Sequence, residues 1–295
     1  GVAGSPRHLK AKWLLNIMYM TIGGYPKQVP GKYLIPSSVF ESEETFPRFE
    51  NISSRVGVDA FDLLGGVVID DFTGDGYLDI VTSTWDPSGQ MHLFRNNQNG
   101  TFSDETEQSN LVGSVGGFNM TQADYDNDGD MDILLLRGAW MRKHGLIPNS
   151  LLQNDGSGKF VDVTFSAGLG EEHYPTQTAA WADYDNDGDL DLYIGNEFLE
   201  KMVHAPCQLF RNNGNGTFSD VAKEAGVQNF GYTKGVSWGD YDADRFPDLY
   251  VSNFEGGNRL FRNNRDGTFN DVTQELGVAE PTMSFPTWFW DFDND

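Results

Sequence analysis

The sequence predicts an all-β protein, a β-propeller of four-stranded blades that follows a short N-terminal arm with a helix. Three observations support this fold class. Two sequence motifs recur in register along most of the 295 residues. Each repeat contains four short strand-like segments, which is the number of strands in a propeller blade. The 34 glycines and 13% aromatic content suit tight turns joined by short strands better than long helices.

The first motif is an aspartate-rich loop of nine residues that reads D-x-D-x-D-G-x-x-D when complete. Complete copies occupy residues 124–132 and 183–191, and altered copies occupy residues 71–79 and 240–248. A fifth copy begins at Asp291, so the starts of successive copies are 53, 59, 57 and 51 residues apart. The chain therefore carries four full repeats and part of a fifth.

The second motif keeps step with the first. The wording LFRNN followed by GTF occurs at residues 93–102, 209–218 and 260–269, with a looser copy at 151–160. Its Asn-Gly or Asp-Gly pair supplies the positive φ angles of a tight hairpin. Apolar residues alternate on both sides of the aspartate loops, which predicts strands, whereas a helical solenoid would show apolar residues three and four apart.

The aspartate loops have the chemistry of calcium sites. Carboxylates at positions 1, 3, 5 and 9 and the main-chain carbonyl of position 7 provide the hard oxygen ligands that Ca²⁺ takes in sets of six to eight. Magnesium requires a stricter octahedron, and zinc would require His or Cys. An EF-hand would need Glu at position 12, where these loops have Leu135, Ile194 or Val251. We expect one Ca²⁺ per loop.

The candidate metal ligands occupy positions 1, 3, 5, 7 and 9 of each copy, and only the first three of these positions are present in the fifth copy. They are Asp71, Thr73, Asp75, Tyr77 and Asp79; Asp124, Asp126, Asp128, Asp130 and Asp132; Asp183, Asp185, Asp187, Asp189 and Asp191; Asp240, Asp242, Asp244, Phe246 and Asp248; and Asp291, Asp293 and Asp295.

The loops are expected to differ in affinity. The two complete copies should bind best. The copy at residues 71–79 has fewer charges because Thr73 and Tyr77 replace aspartates. The copy at residues 240–248 has Arg245 in place of the turn glycine, which puts a cation beside the metal at a position that favours positive φ. We expect it to be the weakest complete site.

The charge balance limits the possible partners. The chain has 20 basic and 44 acidic residues, for a net charge of -24, whereas nucleic acids and anionic membranes bind basic surfaces. The predicted arm, residues 1–44, is instead basic, with a helix at about 9–21 and an extended stretch to Pro36. The propeller is predicted to occupy residues 45–295. The longest apolar stretch, residues 13–22, is too short for a membrane span.

Several other residues are functional candidates by residue type. The five histidines, which include His144 and His204 in long inter-strand loops, share no metal-ligand spacing. Cys207 is interpreted as a small core or loop thiol rather than a nucleophile. Trp181 and Trp238 are predicted to pack between blades. Three further tryptophans could line a carbohydrate-binding surface, although core packing is the favoured interpretation: Trp85, Trp140 and Trp288. No catalytic residue is predicted.

The repeat wording resembles a known family. The stretch FRNNGNGTFSDV at residues 210–221, followed by Ala-Gly-Val at 225–227, is similar to the FG-GAP (VCBS-type) repeats of integrin α-subunit propellers. It is most similar to the cartilage-acidic-protein-like family, and the resemblance covers roughly residues 45–295. It implies about seven blades, Ca²⁺ in the hairpin loops, export, and binding or adhesive roles. Because four repeats and a fragment cannot close such a ring, we expect a partial chain or blades from elsewhere.

Three functions follow as hypotheses. The first is an exported, calcium-binding propeller, placed outside the cell, on its surface or in the periplasm, that presents loops to a protein or glycan. The second is a carbohydrate-active enzyme of the lyase or dehydratase type. The third is an accessory subunit of a cell-surface complex or filament. None of the three involves nucleic acid or a membrane span.

Overall fold

The computed structural model describes residues 5–41, 47, 49–63, 65–197 and 205–292. The chain divides into two compact units, Gly1–Asn51 and Ile52–Asp295. Residues 42–46, where the sequence places the boundary between arm and propeller, lie outside the described residues. Within the described part of the chain, none of the helices combines the length and apolar character needed to cross a membrane.

The first unit is built on helix α1 (Pro6–Thr21), which confirms the predicted helix and begins three residues earlier. The earlier start has a local cause, because Pro6 is favoured in a first turn and the Ser5 hydroxyl accepts a hydrogen bond from the His8 amide at 3.3 Å. Asn16 is fully buried, and its Nδ2 donates to the Tyr33 carbonyl at 2.8 Å. This bond ties the stretch after the helix back to α1.

The second unit contains sixteen strands, two short α-helices and one 3₁₀ turn (Arg142–His144) among its described residues; the α-helices are α2 (Ser53–Val56) and α3 (Thr273–Leu276). The strands form four antiparallel sheets in chain order, which we call blades 1 to 4. Their strands are β1 (Val67–Asp70), β2 (Asp79–Thr82), β3 (His92–Asn96) and β4 (Phe102–Asp104); β5 (Asn119–Ala123), β6 (Asp132–Leu136), β7 (Ser150–Asn154) and β8 (Phe160–Asp162); β9 (Thr176–Ala182), β10 (Asp191–Asn196), β11 (Gln208–Asn212) and β12 (Phe218–Asp220); and β13 (Thr233–Gly239), β14 (Asp248–Asn253), β15 (Arg259–Asn263) and β16 (Phe269–Asp271).

This arrangement confirms the predicted all-β fold of four-stranded blades. The first strands of successive blades, β1, β5, β9 and β13, lie side by side, as expected for blades placed around an axis. Each aspartate loop joins the first strand of its blade to the second. The four aspartate loops therefore lie at one end of the blades, which we call the loop end.

The core lies between the blades. Three buried clusters fill the three interfaces, and the second strand of an inner blade contributes to two of them by alternation. In β6, Ile133 and Leu135 face blade 1, whereas Leu134 and Leu136 face blade 3. Both faces of such a sheet are apolar, so a blade is stabilised mainly by its neighbours.

A core substitution should show this dependence. Leu192 in β10 is fully buried in the cluster between blades 2 and 3. Replacing it by Ala should lower the free energy of unfolding by about 2–5 kcal/mol, because the cavity cannot fully close. The control is Val161→Ala, an exposed position in β8 that should change stability by no more than about 0.5 kcal/mol. Equal effects of the two variants in denaturant titrations would contradict the interface assignment.

Candidate functional site

The aspartate loops are positioned by the strands that they join. Position 9 of each loop is the first residue of the second strand, and its side chain is fully buried in all four blades: Asp79, Asp132, Asp191 and Asp248. In blade 3, Asp191 pairs across the sheet with Ala182, the last residue of the first strand. The hairpin therefore begins and ends on a fixed sheet, and its carboxylates have a rigid base.

Three loops bring together the carboxylates of positions 1, 3 and 9. One oxygen from each residue lies within 4.8 Å of the other two, so a single ion could contact all three residues. These groups are Asp124, Asp126 and Asp132 in blade 2; Asp183, Asp185 and Asp191 in blade 3; and Asp240, Asp242 and Asp248 in blade 4. Asp128, Asp187 and Asp244 at position 5 and the residues at position 7 are not part of these groups.

Hydrogen bonds within each loop fix its path. In blade 3, Asp183 Oδ1 accepts from the Asp187 amide and Asp183 Oδ2 from the Gly188 amide, both at 3.0 Å. The chain turns at Gly188, where φ is +95°. In blade 4, Arg245 takes the same place at φ +74°, and its amide donates to Asp240 at 2.7 Å. The fourth loop therefore keeps the shape of the others, and its lower affinity stays a prediction based on charge and strain.

Two buried oxygens in the complete loops lack a hydrogen-bond partner. Asp126 Oδ1 and Asp185 Oδ1, both at position 3, are buried without a hydrogen-bond partner, and only four such side-chain atoms occur among the described residues. Buried polar atoms are nearly always paired, because an unpaired one costs about 1–3 kcal/mol. One divalent cation in each loop would give the unpaired oxygen of that loop a partner. The hard oxygen donors present fit calcium.

The electrostatics of the loops also favour a cation. Burial raises the pKa of Asp132 to about 7, and the nearby carboxylate of Asp126 adds to this increase. Burial likewise raises the pKa of Asp191 to about 7, with a further contribution from Asp185. For the same reasons the pKa of Asp248 is raised to about 6. Clustered carboxyl groups therefore hold protons that a metal would displace.

The first loop differs from the other three. Its position 3 is Thr73, whose hydroxyl donates to Asp79 Oδ2 at 3.1 Å, and Arg95 Nη2 donates to Asp75 Oδ2 at 3.2 Å. Donors from the loop itself (Thr73) and from β3 (Arg95) thus supply part of the hydrogen bonding of these carboxylates. In the fifth copy Asp291 is exposed, whereas Asp293 and Asp295 lie outside the described residues. Calcium binding is a prediction for these two copies, as it is for the other three.

An asparagine connects each of the later loops to the loop before it. In the second motif, Asn212 donates through its amide to Asp191 Oδ1 at 2.8 Å, and its Nδ2 donates to the Tyr125 carbonyl of blade 2 at 2.8 Å. Asn154 and Asn263 make the same inter-blade bond, to Phe72 and Tyr184, at 2.9 and 2.8 Å. The carbonyl that accepts is position 2 of the preceding loop, so neighbouring loops share one network.

The loop tips are joined as well. Asn127, at position 4 in blade 2, donates to Asp189 Oδ1 of blade 3 at 2.8 Å, and Asn186 donates to the Arg245 carbonyl of blade 4 at 3.2 Å. Sequence reasoning did not assign a role to any of these asparagines. For Asn154, Asn212 and Asn263, recurrence at one position of the second motif was the available signal, whereas position 4 of the loop is an asparagine in only two of the four blades, 2 and 3.

Two of the tryptophans and the cysteine lie where the sequence predicts them. Trp238 stacks on Tyr184 of the preceding blade, with ring centroids 6.2 Å apart, and Trp181 stacks on Tyr125 at 6.4 Å, which confirms both as inter-blade residues. Cys207 is fully buried, and burial raises the pKa of its thiol, in agreement with the structural interpretation.

The core interpretation is wrong for Trp140 and Trp288, which are both exposed. Trp140 lies in a connection outside the strands, and packing between the blades does not enclose it. Trp85 is half-buried and donates through its indole nitrogen to the Ala139 carbonyl at 2.8 Å. His144 lies in a single 3₁₀ turn, and His204 lies outside the described residues.

The fold and the loops define a β-propeller whose blades each carry an aspartate loop between their first two strands. Sequence comparison makes the assignment specific. The model of the FG-GAP-like repeat family matches residues 71–135, 144–194, 205–251 and 240–295, which is more than half of the chain. The chain belongs to this family.

Two comparisons place the chain among known proteins. It is 29% identical over 143 residues to cartilage acidic protein 1 of Xenopus tropicalis, which is 45% of this chain and 21% of the relative. The corresponding protein of Homo sapiens is also 29% identical over 143 residues, 45% of this chain and 20% of that protein. The chain thus spans about a fifth of the length of these curated relatives.

Solved structures give more distant similarities. One is an Agrocybe aegerita lectin described for its specific recognition of non-reducing terminal N-acetylglucosamine, with 21% identity and a TM-score of 0.40 over 73% of this chain and 54% of that one. Another is the V. cholerae biofilm matrix protein Bap1, with 15% identity and a TM-score of 0.34 over 72% of this chain and 40% of that one.

The raised carboxyl pKa values predict how stability depends on pH. Because Asp132, Asp191 and Asp248 bind protons more tightly when folded than when unfolded, the metal-free protein should lose stability as pH rises through about 6–7. Stabilisation by added Ca²⁺ should increase over the same range, because fewer protons compete. Denaturant titrations at about pH 5 and pH 8, with chelator or with Ca²⁺, measure both effects. A calcium effect of equal size at the two pH values would contradict the prediction.

The inter-blade asparagine bond can be isolated with a matched pair of variants. Asn212→Ala leaves the carbonyls of Tyr125 and Leu190 without this donor and should lower the free energy of unfolding by about 1–3 kcal/mol. The control is Asn96→Ala in blade 1, where the side-chain amide donates to Leu78 of its own blade. A loss no greater in Asn212→Ala than in Asn96→Ala would show that the inter-blade bond adds no stability.

Proposed function

We propose that this protein is an exported, calcium-binding β-propeller that acts as a binding or assembly module. Calcium has a structural role in the proposal: it is held by the aspartate loops and fixes their shape. The carboxylates of positions 1, 3 and 9 in blades 2 to 4 would hold the ion. The observation that carries the proposal is that Asp126 and Asp185, both members of these groups, each have a buried Oδ1 without a hydrogen-bond partner.

The network of asparagines makes such an ion important beyond its own loop. A cation bound by Asp185 and Asp191 would fix the hairpin to which Asn212 is attached, and Asn212 reaches blade 2. Calcium would therefore strengthen the contact between blades as well as each hairpin. A rigid array of blades is the kind of scaffold on which loops can present a binding surface to a protein or glycan.

Export is proposed on the basis of calcium supply. Extracellular calcium modules work with dissociation constants of about 10⁻⁴–10⁻³ M, a range that cytosolic calcium does not fill. Loops that are exposed at the surface and rich in carboxylates, on a chain of net charge -24, suit this range. We place the protein outside the cytoplasm, at a cell surface or in an extracellular or periplasmic assembly.

Calorimetry on the chelator-treated chain tests the metal site. Ca²⁺ should bind and raise the melting temperature, with about 2.7 kcal/mol of stabilisation per site at one hundred times its dissociation constant, and Mg²⁺ should bind more weakly. Asp185→Asn should weaken binding in blade 3 about tenfold or more, which corresponds to about 1.4 kcal/mol. This variant removes one of the three grouped carboxylates.

The matched control is Asp189→Asn in the same loop. It changes the net charge by the same amount, but position 7 is expected to offer only its main-chain carbonyl, so calcium affinity should stay close to that of the unchanged chain. Equal losses in the two variants would show a general charge effect instead of coordination. Failure of Ca²⁺ to bind or to stabilise the chain would refute the proposal.

A further inference from the structure

Four aromatic rings form a group at the end of the blades opposite the loop end. Strands β9 and β13 run toward the aspartate loops, so their first residues and the connections that follow the second strands lie at this opposite end. Trp140 belongs to the connection between β6 and β7, and Tyr232 directly precedes β13. Phe254 directly follows β14, and Phe285 lies in the segment after α3. Blades 2 and 4 and the segment after α3 thus contribute to one surface.

Each of the four rings contacts two of the others. Ring centroids lie 6.0 Å apart for Trp140 and Tyr232, 5.7 Å for Tyr232 and Phe254, 5.5 Å for Phe254 and Phe285, and 6.3 Å for Phe285 and Trp140. We call this set the aromatic quartet. Its members are not enclosed by the core, because Trp140 remains 40% and Phe285 44% exposed. Trp140 and Phe285 stack with 20° between their planes, whereas the other three pairs meet edge to face at 63–87°, and the exposed parts of these two rings give a rigid apolar surface.

A buried ion pair supports the platform. Lys234 Nζ lies 3.4 Å from the centre of the Trp140 ring and 4.1 Å from that of Tyr232. It donates hydrogen bonds to Glu197 and, at 3.1 Å, to Gln177 Oε1. The Lys234 and Glu197 side chains are 0% and 2% exposed. A buried ion pair adds little stability compared with apolar packing, but it fixes the orientation of the groups around it.

Trp140 is held in a conformation that its residue type rarely adopts. Its φ angle is +64°, and its amide donates to Glu197 Oε2 at 2.6 Å. Left-handed backbone at a bulky residue is strained, and such strain persists where the surroundings impose it, often at ligand-binding sites. The Glu197 carboxylate thus holds both Lys234 and the main chain that presents the indole.

The charges around the aromatic quartet restrict the ligand. Lys234 is matched by Glu197, and Arg142 and Glu255, which also act on Tyr232, carry opposite charges, so these four groups give the site no net charge to attract an ion. A cationic ligand would meet an ammonium group 3.4 Å from the indole centre, and an anionic ligand would meet a protein of net charge -24. A neutral ligand with an apolar face is left. Sugar rings have this character, because one face carries C–H groups that stack on aromatic rings and the rim carries hydroxyls.

We propose that the aromatic quartet is a binding subsite for a neutral carbohydrate, with Trp140 and Phe285 as the stacking residues and the Lys234–Glu197 pair as the group that positions Trp140. This inference rests on the proposed binding role and names its ligand class. Ligand sites combine an apolar surface with a few fixed polar groups, and the aromatic quartet provides the apolar surface.

The test uses the full chain in Ca²⁺, titrated with cellohexaose, mannohexaose, xylohexaose and chitohexaose as neutral probes and with an oligogalacturonate as the anionic probe. Calorimetry and tryptophan fluorescence measure binding. We expect saturable binding of at least one neutral probe, with affinity reduced about tenfold or more by Trp140→Ala and several-fold by Phe285→Ala. The control is Phe165→Ala, an exposed aromatic outside the quartet that should leave affinity unchanged.

The melting temperature in Ca²⁺ measures whether each variant is folded. If Trp140→Ala does not fold, the effect of Phe285→Ala on affinity decides the outcome. The inference is overturned if no neutral probe binds the folded chain, if the anionic probe is preferred, or if the quartet variants and Phe165→Ala bind alike. If carbohydrate binds but the quartet variants do not weaken it, only this subsite is rejected and the proposed binding role stands. Absence of calcium binding in the separate calorimetry would instead reject the proposed function.

Discussion

Burying a carboxylate inside a β-sheet is unfavourable unless every oxygen has a partner, and this constraint shapes each repeat of the protein. Asp191 meets it by accepting hydrogen bonds from the amides of Asn212 and Tyr184, at 2.8 and 3.2 Å. Asp191 is the first residue of the second strand, its side chain accepts a hydrogen bond from the third strand, and it is one of the three grouped carboxylates of its loop. Because one carboxylate joins these three parts, loop, sheet and ion site form a single structural unit.

The two ends of the blades have different chemistry. At the loop end, carboxylates and main-chain groups are arranged for a hard cation, and asparagines extend the arrangement from blade to blade. At the other end, longer connections bring aromatic rings together above the buried pair of Lys234 and Glu197. The first strands run between the two ends. This division leaves the aromatic end free to vary in sequence without disturbing the aspartate loops.

Much of the fold could be predicted from the sequence, because two motifs in register define both the repeat and its strands. The sequence predicts that carboxylates at positions 1, 3, 5 and 9 converge, and the structure groups those of positions 1, 3 and 9 in three loops, because a hairpin brings these positions together by local geometry. Asn212 was not recognised, because its partner Tyr125 lies 87 residues away and only packing of the blades brings them together. Core packing was favoured for Trp140 because tryptophan is usually buried, whereas this residue lies in the connection between β6 and β7 and remains 40% exposed.

The asparagine of the second motif has a consequence for how proteins of this kind change in length. A repeat that carries both the donor for the preceding unit and the acceptor for the next one contains everything needed to attach a further copy. Duplication of such a segment would supply a matching junction at both ends without any compensating substitution. Gain and loss of whole units should therefore be easier during evolution than insertion within a unit, where the distance between the asparagine and its two partners would be altered.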